Sequence, residues 1–242
     1  MFKQIITVII LLFLVQLSSY SKDITVDEII ASVIKSRGGN EAADAIKTMK
    51  ITGKMSAMGM DLPMSIQFKN PGKNRTDMEV MGSKIVEVVN GNEGWFINPL
   101  MGNSNPTKMP EAEFNENKDK NDFVNFSLAK YKENGLKVTL QGTKIIDGKE
   151  CYKLFVVTKD AKESYTYIDI SDFKIIMQSS KGNVMGKMAE LEIYFKDYKS
   201  ENGLLMSHTM DTKSDGQSIG TIIFDKIEIN IDIPDSIFEL PK

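Results

Sequence analysis

Few residues in this chain could carry out bond-making chemistry. There is one histidine, His208, and one cysteine, Cys151. His208 could act as a general base with an acid brought from elsewhere in the chain. It lies in Leu204-Leu205-Met206-Ser207-His208-Thr209-Met210, where Met206 and Met210 share its strand face. Cys151 lies in the alternating run Glu150-Cys151-Tyr152-Lys153-Leu154-Phe155, which suits a small buried hydrophobe better than a nucleophile. A lone thiol forms no internal disulfide, and one histidine with one remote cysteine makes no zinc set. No Gly-x-Ser-x-Gly, His-Glu-x-x-His or phosphate loop occurs, so no metal, cofactor or catalytic residue is assigned. The chemistry that is plentiful is apolar contact. Of 15 methionines, Met55, Met58, Met60, Met64, Met78 and Met81 fall in or near three consecutive strands. Thioethers are flexible and polarizable, which suits a surface for varied apolar ligands and equally suits core filling.

The elements that hold these residues are mostly strands. Leu62 to Lys69 has an apolar residue at every second place, as does Ile51, Gly53, Met55, Ala57. Met78 and Val80 alternate with Asp77 and Glu79, and Arg75 shares the face of Asp77 and Glu79, where it forms a solvated ion pair. Period two puts Met55, Met64, Ile66, Phe68, Met78 and Val80 on one face of a sheet, expected to be its concave face. Val88-Val89-Asn90-Gly91-Asn92-Glu93-Gly94-Trp95-Phe96-Ile97-Asn98-Pro99 is a hairpin: Asn-Gly accepts the positive φ of the turn, and Asn-Pro stops the second strand. Trp95 and Phe96 point to opposite faces, as cavity wall or as core. Later strands span about 137–144, 150–158, 163–170, 174–180, 189–198, 204–212 and 218–229, punctuated by Asp147-Gly148, Asn202-Gly203 and Asp215-Gly216. About eleven strands in succession predict an antiparallel sheet that curls into a half-open barrel.

Helices are expected in two places. Thr25-Val26-Asp27-Glu28 is a capping box ahead of Ile29, Ile30, Val33 and Ile34, ended by Gly38-Gly39, and a short helix follows over 41–47. Residues 110–134 are polar and poor in β-branched side chains; Pro110 and Gly135 bracket one or two helices over about 111–117 and 119–133. Phe123 and Phe126 are three residues apart, share one helical face and would plug the mouth of the curled sheet as a lid.

Met1–Ser21 reads as a secretory signal peptide: Lys3, then the apolar stretch Ile5–Leu17, then Ser19-Tyr20-Ser21. No cysteine follows it for lipidation, so a soluble exported protein of residues 22–242, forming one domain, is expected. Cleavage removes one of 30 basic residues and none of 33 acidic ones, leaving a net charge of −4 with both signs interspersed. That balance excludes a concentrated nucleic-acid-binding face.

The Asn-Gly turn with Trp95-Phe96-x-Asn98-Pro99, the Phe68-Lys69-Asn70-Pro71 turn and the closing Ser236-Ile237-Phe238-Glu239-Leu240-Pro241 resemble, in order and spacing, the periplasmic lipoprotein carriers of the LolA/LolB-like family, and most of all its divergent lipoprotein-sorting-like members in Bacteroidetes-type bacteria. The resemblance covers essentially all of the chain after Ser21. It implies a half-barrel whose apolar cavity and helical lid bind acyl chains of lipoproteins or lipids without chemistry, in a periplasmic monomer that meets envelope transport proteins. Met55, Met64, Ile66, Phe68, Met78, Val80, Trp95, Phe96, Phe123 and Phe126 would line cavity and lid. The carriers have an arginine before the turn proline; here it is Asn70, with Lys69 and Arg75 out of register, so the resemblance implies acyl-chain binding more directly than the family's shuttle mechanism. Two other readings stand beside it: a β scaffold or sensor that docks an envelope protein, and a hydrolase built on His208.

Overall fold

A computed structural model describes residues 24–57, 59–117, 127–184 and 186–241. The expected signal peptide and both lid phenylalanines, Phe123 and Phe126, lie outside the described residues. The chain opens with helices α1 (Val26–Ser36) and α2 (Gly39–Asp44). The capping box forms as the sequence requires: Glu28 N–H donates to Thr25 Oγ1 at 3.2 Å, and Thr25 N–H donates to the Glu28 carboxylate at 2.8 Å.

Thirteen strands follow. They are β1 (Thr48–Ala57), β2 (Met60–Lys69), β3 (Lys73–Val80), β4 (Ser83–Asn90), β5 (Glu93–Asn98), β6 (Asn103–Lys108), β7 (Lys137–Ile146), β8 (Lys149–Val157), β9 (Glu163–Asp169), β10 (Ile175–Val184), β11 (Lys187–Glu201), β12 (Leu204–Ser214) and β13 (Gln217–Ile229). All belong to one antiparallel, curled and unclosed sheet of order β6-β5-β4-β3-β2-β1-β13-β12-β11-β10-β9-β8-β7. The expected count of about eleven is low. The unanticipated strand is β6, whose Asn-Ser-Asn-Pro-Thr-Lys has no apolar alternation; it is an edge, where Pro106 costs no ladder bond that a neighbour needs. The other edge, β7, is bent by a bulge between Leu140 and Thr143. Both features blunt edges that would otherwise pair with other chains. β1, the first strand, lies at the centre, because the chain winds from β1 out to β6, crosses to β7 and winds back to β13.

That crossing contains α3 (Glu111–Asn117) and a 3₁₀ turn at Ser127–Lys130. The helix expected over 119–133 is, in its described part, only this 3₁₀ turn followed by turns. Likewise the helix expected over 41–47 ends at Asp44, since Ile46 turns in to fill the core.

The sheet has two covered faces. On the inner face, taken here as the one α1 packs on, Ile29 and Val33 meet Leu154, Ile168 and Ile175. Beside them Ile46, Met49, Ile51, Met64, Ile66, Met206, Met210 and Phe224 form a second cluster, and Phe195 touches both. On the outer face residues 230–241 run back across β2 to β5. Lys69 Nζ donates to Ile233 O at 2.7 Å, Arg75 Nη1 to Ile237 O at 2.7 Å and Trp95 Nε1 to Phe238 O at 3.0 Å. Val86, Val88 and Trp95 are buried under this strap by Ile233 and Phe238.

Candidate functional site

Register decides which side chains meet. β1 pairs with β2 as Ile51↔Ile66, Gly53↔Met64 and Met55↔Leu62, and β2 with β3 as Met64↔Met78. β3 pairs with β4 as Thr76↔Glu87, and β4 with β5 as Glu87↔Phe96. Directly opposed residues share a face. Met55, Met64, Ile66, Phe68, Met78, Val80 and Phe96 therefore all lie on the inner face. Trp95 does not join them. It pairs with Val88, which pairs with Arg75, so it belongs to the outer face beneath the C-terminal strap. The hairpin thus splits its two aromatic residues between a strap-covered core and the inner face.

The inner face is unevenly covered. Met64 and Ile66 are buried with Met49, Met206 and Met210, while Met55, Phe68, Met78, Val80 and Phe96 are half-buried. α1 packs on β8 to β10 and leaves the β2–β5 side to other elements. Near Gly94 that side is reached by Met109 and Phe114: a Cβ at Gly94 would lie 3.2 Å from Met109 Sδ and 3.3 Å from a Phe114 ring carbon. Thus α3 begins on the inner face, in the place where a lid over the mouth would start. Met49, Met206 and Met210 were not assigned to this surface from the sequence. The alternation Leu204, Met206, His208, Met210 was the available signal, but it did not say which face it would meet.

Of the methionine group over the first strands, Met55, Met64, Met78 and, through its pairing with Ala57, Met60 lie on the inner face; Met60 and Met81 are exposed at turns, and Met58 lies outside the described residues. An open depression of about 450 Å³ lies between α1 and α2, lined by Ala31, Ile34, Lys35 and Gly38 among others. Its lining contains none of the expected cavity and lid residues.

His208 is buried on the inner face between β11 and β13. Its Nδ1 lies 3.2 Å from Phe224 O, and its Nε2 lies 3.0 Å from Glu201 Oε1, at ion-pair distance but off the line of a hydrogen bond. The acid beside it comes from the adjacent strand, one turn away: Glu201 ends β11, and the β11–β12 hairpin folds it back. The adjacent hydroxyl, Ser207, points to the other face, accepting from Lys196 N–H at 3.1 Å and donating to Lys196 O at 2.7 Å. Ser207 is therefore not aligned with the imidazole. Cys151 is buried, and burial, with Asp169 nearby, pushes its thiol up to about 11, so it is a packing residue rather than a thiolate.

Arg75 pairs with Asp77 through two bonds, Nε to Oδ2 at 2.7 Å and Nη2 to Oδ1 at 2.8 Å. The pair was expected; its burial was not, because the strap that shields it comes from the chain's other end. Burial alone would raise the Asp77 carboxyl, but Arg75 and Lys84 outweigh it and hold it below the usual carboxylate value. Asn70 Nδ2 donates to Ile46 O at 2.9 Å, so the residue that stands where the carriers have an arginine ties the β2–β3 turn to the segment before β1.

No family model matches the chain, and no curated protein does. Solved structures do. A DUF1329 family protein from Desulfovibrio piger superposes with a TM-score of 0.56 at 13% identity, over 89% of this chain and 97% of that one. An outer membrane lipoprotein-sorting protein domain from Vibrio parahaemolyticus gives 0.56 at 10% identity, over 88% and 95%. A LolA superfamily protein from Nitrosomonas europaea gives 0.54 at 14% identity, over 89% and 98%. At these identities the likeness is one of fold: the chain is built on the LolA-like half-barrel over nearly its whole described length.

Proposed function

We propose that this LolA-like half-barrel binds a single long acyl chain, from a lipid or a lipoprotein, along the inner face of β1 to β5, and carries it in the cell envelope without catalysing a reaction. The observation that carries this is the row of half-buried apolar side chains, Met55, Met78, Val80 and Phe96, on the side of the inner face that α1 leaves uncovered. Flexible thioethers there fit chains of varied length and bend. The names of the fold neighbours, lipoprotein-sorting and LolA superfamily, support the choice of ligand. Ser207, the hydroxyl next to His208, is engaged with Lys196 on the other face, which favours binding over a serine-based hydrolysis. Met1–Ser21, read as an export signal, supports a periplasmic location, and N-terminal sequencing of the processed protein checks it: a retained Met1 overturns the localisation.

Titration with a fluorescent fatty acid tests the binding. Met78→Glu with Phe96→Glu puts two charges on the inner face and should weaken the probe at least about tenfold, since each charge must be desolvated by the ligand. Ile145→Glu, on an exposed part of β7, should leave it unchanged. Equal affinity in all three proteins, or no displaceable binding by the unmodified chain, overturns the proposal. Native mass spectrometry of protein purified from periplasm then identifies the co-purifying lipid.

A further inference from the structure

Eight large hydrophobic side chains stand exposed among the described residues, and six of them sit at or within two residues of hairpin turns: Met60, Met81, Leu100, Met101 and Met188, and Ile145 beside the β7–β8 turn. In an antiparallel meander, turns alternate between two ends of the sheet. The pairing of β1 with β13 joins both halves of the chain into one such pattern. The β1–β2, β3–β4, β5–β6, β8–β9, β10–β11 and β12–β13 turns share one end, and five of the six side chains, all but Ile145, are there, 41–81% exposed; the charged β8–β9 turn, Lys159-Asp160-Ala161-Lys162, and the Asp215-Gly216 turn carry none of them. The turns of the other end read Asn70-Pro71-Gly72, Gly91-Asn92, Asp147-Gly148 and Asn202-Gly203, and in the β9–β10 turn Phe173 packs inward against the α1 cluster.

The choice of residue at the tips is against local preference. Two-residue hairpin turns need positive φ at their first position, where Asn, Asp and Gly are favoured. This chain uses Asp147 (φ 47°), Asn202 (φ 50°) and Asp215 (φ 49°) in such turns. At Met81 (φ 51°) it places a methionine instead, in the same strained conformation, 81% exposed and with no packing to compensate. Met-Gly occurs four times in the sequence, at 58–59, 81–82, 101–102 and 185–186, and the glycines Gly59, Gly82, Gly102 and Gly186 all lie in turns of this one end; Met58 and Met185 lie outside the described residues.

We infer that this rim is a membrane-contact surface, whose methionine and leucine tips insert between the headgroups of a lipid bilayer. Adjacent turns of one end are two strands, roughly 10 Å, apart. The apolar points are therefore separate single side chains along an arc rather than a contiguous patch. A protein partner would need a matching pocket for each tip; a bilayer accepts any set of tips that lies at one level. Exposed charges beside the tips are of both signs, Lys84 and Lys187 against Glu79 and Asp215, so insertion rather than attraction to anionic lipid drives the contact. Val80 and Met55, on the inner face, adjoin this rim. A chain leaving the bilayer would then reach the inner face over apolar surface; that last step rests on the acyl-chain binding proposed above, whereas the bilayer contact does not.

Flotation of the processed protein with dioleoylphosphatidylcholine vesicles tests the inference. The unmodified protein should float with the vesicles at low and at high salt. The combined Met60→Ser, Met81→Ser, Met101→Ser, Met188→Ser variant should partition at least about tenfold less, with an unchanged circular dichroism spectrum, and Ile145→Ser should float as the unmodified chain does. Failure of the unmodified protein to float, equal flotation of the rim variant, or an equal loss from Ile145→Ser overturns the inference. So does gel filtration showing a dimer that the rim variant breaks, since the tips would then bind a second copy. Flotation that survives in a protein with no fatty-acid binding in solution condemns the acyl-chain reading alone.

Discussion

Three side chains show how much of this molecule rests on single contacts. Asp169 is buried, which raises a carboxyl, yet Lys149 Nζ at 2.7 Å and the hydroxyl and amide of Ser171 overcome that and lower it from 3.8 to about 2. A carboxyl depressed by folding stabilises the protein above its unfolded value and loses that contribution as pH falls through the folded one. The contribution is on the order of 2 kcal/mol at neutral pH, so the urea midpoint should fall between pH 4 and 2 by less in Asp169→Asn than in the unmodified protein. Equal acid sensitivity would show that other carboxylates dominate. Cys151, with its thiol held near 11, should resist an aromatic disulfide reagent at pH 8 and react only at the rate of unfolding. Phe238 is fully buried and its carbonyl accepts from Trp95 Nε1. Phe238→Ala should cost about 3–5 kcal/mol in denaturant unfolding, and red-shift the emission of Trp95, which reports on the strap and not on the inner face.

At the scale of elements, the β1–β13 pair is the seam on which both halves of the sheet depend. Its register shifts between Thr52 and Gly53, and there the two backbones come so close that a Cβ on Gly53 would overlap the Ile223 carbonyl oxygen. Only glycine allows that approach. Gly53→Ala must push the strands apart and should destabilise by about 1–3 kcal/mol or more, seen as a lower melting temperature; an unchanged melt would mean that the seam relaxes freely. Gly94 does the same work for α3, with Met109 and Phe114 resting where its side chain would be. A larger residue there would also press on the Val88 carbonyl oxygen of β4, 2.8 Å from the Cβ position, so it should loosen the β4–β5 pair together with the start of the crossing segment.

For the whole molecule, the winding order makes stability graded. β1, β12 and β13 are paired on both sides and carry Ile51, Met210 and Phe224 in the largest inner cluster, whereas β6 and β7 are paired on one side only. Amide exchange should be slowest at the β1–β13 seam and fastest in β6 and β7. Uniform protection, or fast exchange at the seam, would contradict the winding order. The same gradient suits the carrier proposed above, for which the stable seam would form the floor beneath a ligand.

Much of this architecture was legible in the residues themselves. Local patterns decide local structure: the capping box set α1, period two set the strands, and Asp-Gly and Asn-Gly set the hairpins, because each depends only on neighbours in the chain. The same period placed Met55, Met64, Ile66, Phe68, Met78 and Val80 on one face, since a fully registered meander keeps alternate residues together. What the tertiary structure alone decided is everything that joins distant segments. Residues 230–241 fold back over β2 to β5, and so assign Trp95, Val86 and Val88 to a covered core and bury Arg75 with Asp77. β6 is a strand because β5 offers it a ladder, not because its polar residues favour one. The turns divide between two ends only once β1 has found β13, and the methionine tips become a rim rather than scattered surface residues. Period two tells a side chain which face it shares; long-range pairing tells it what that face will meet.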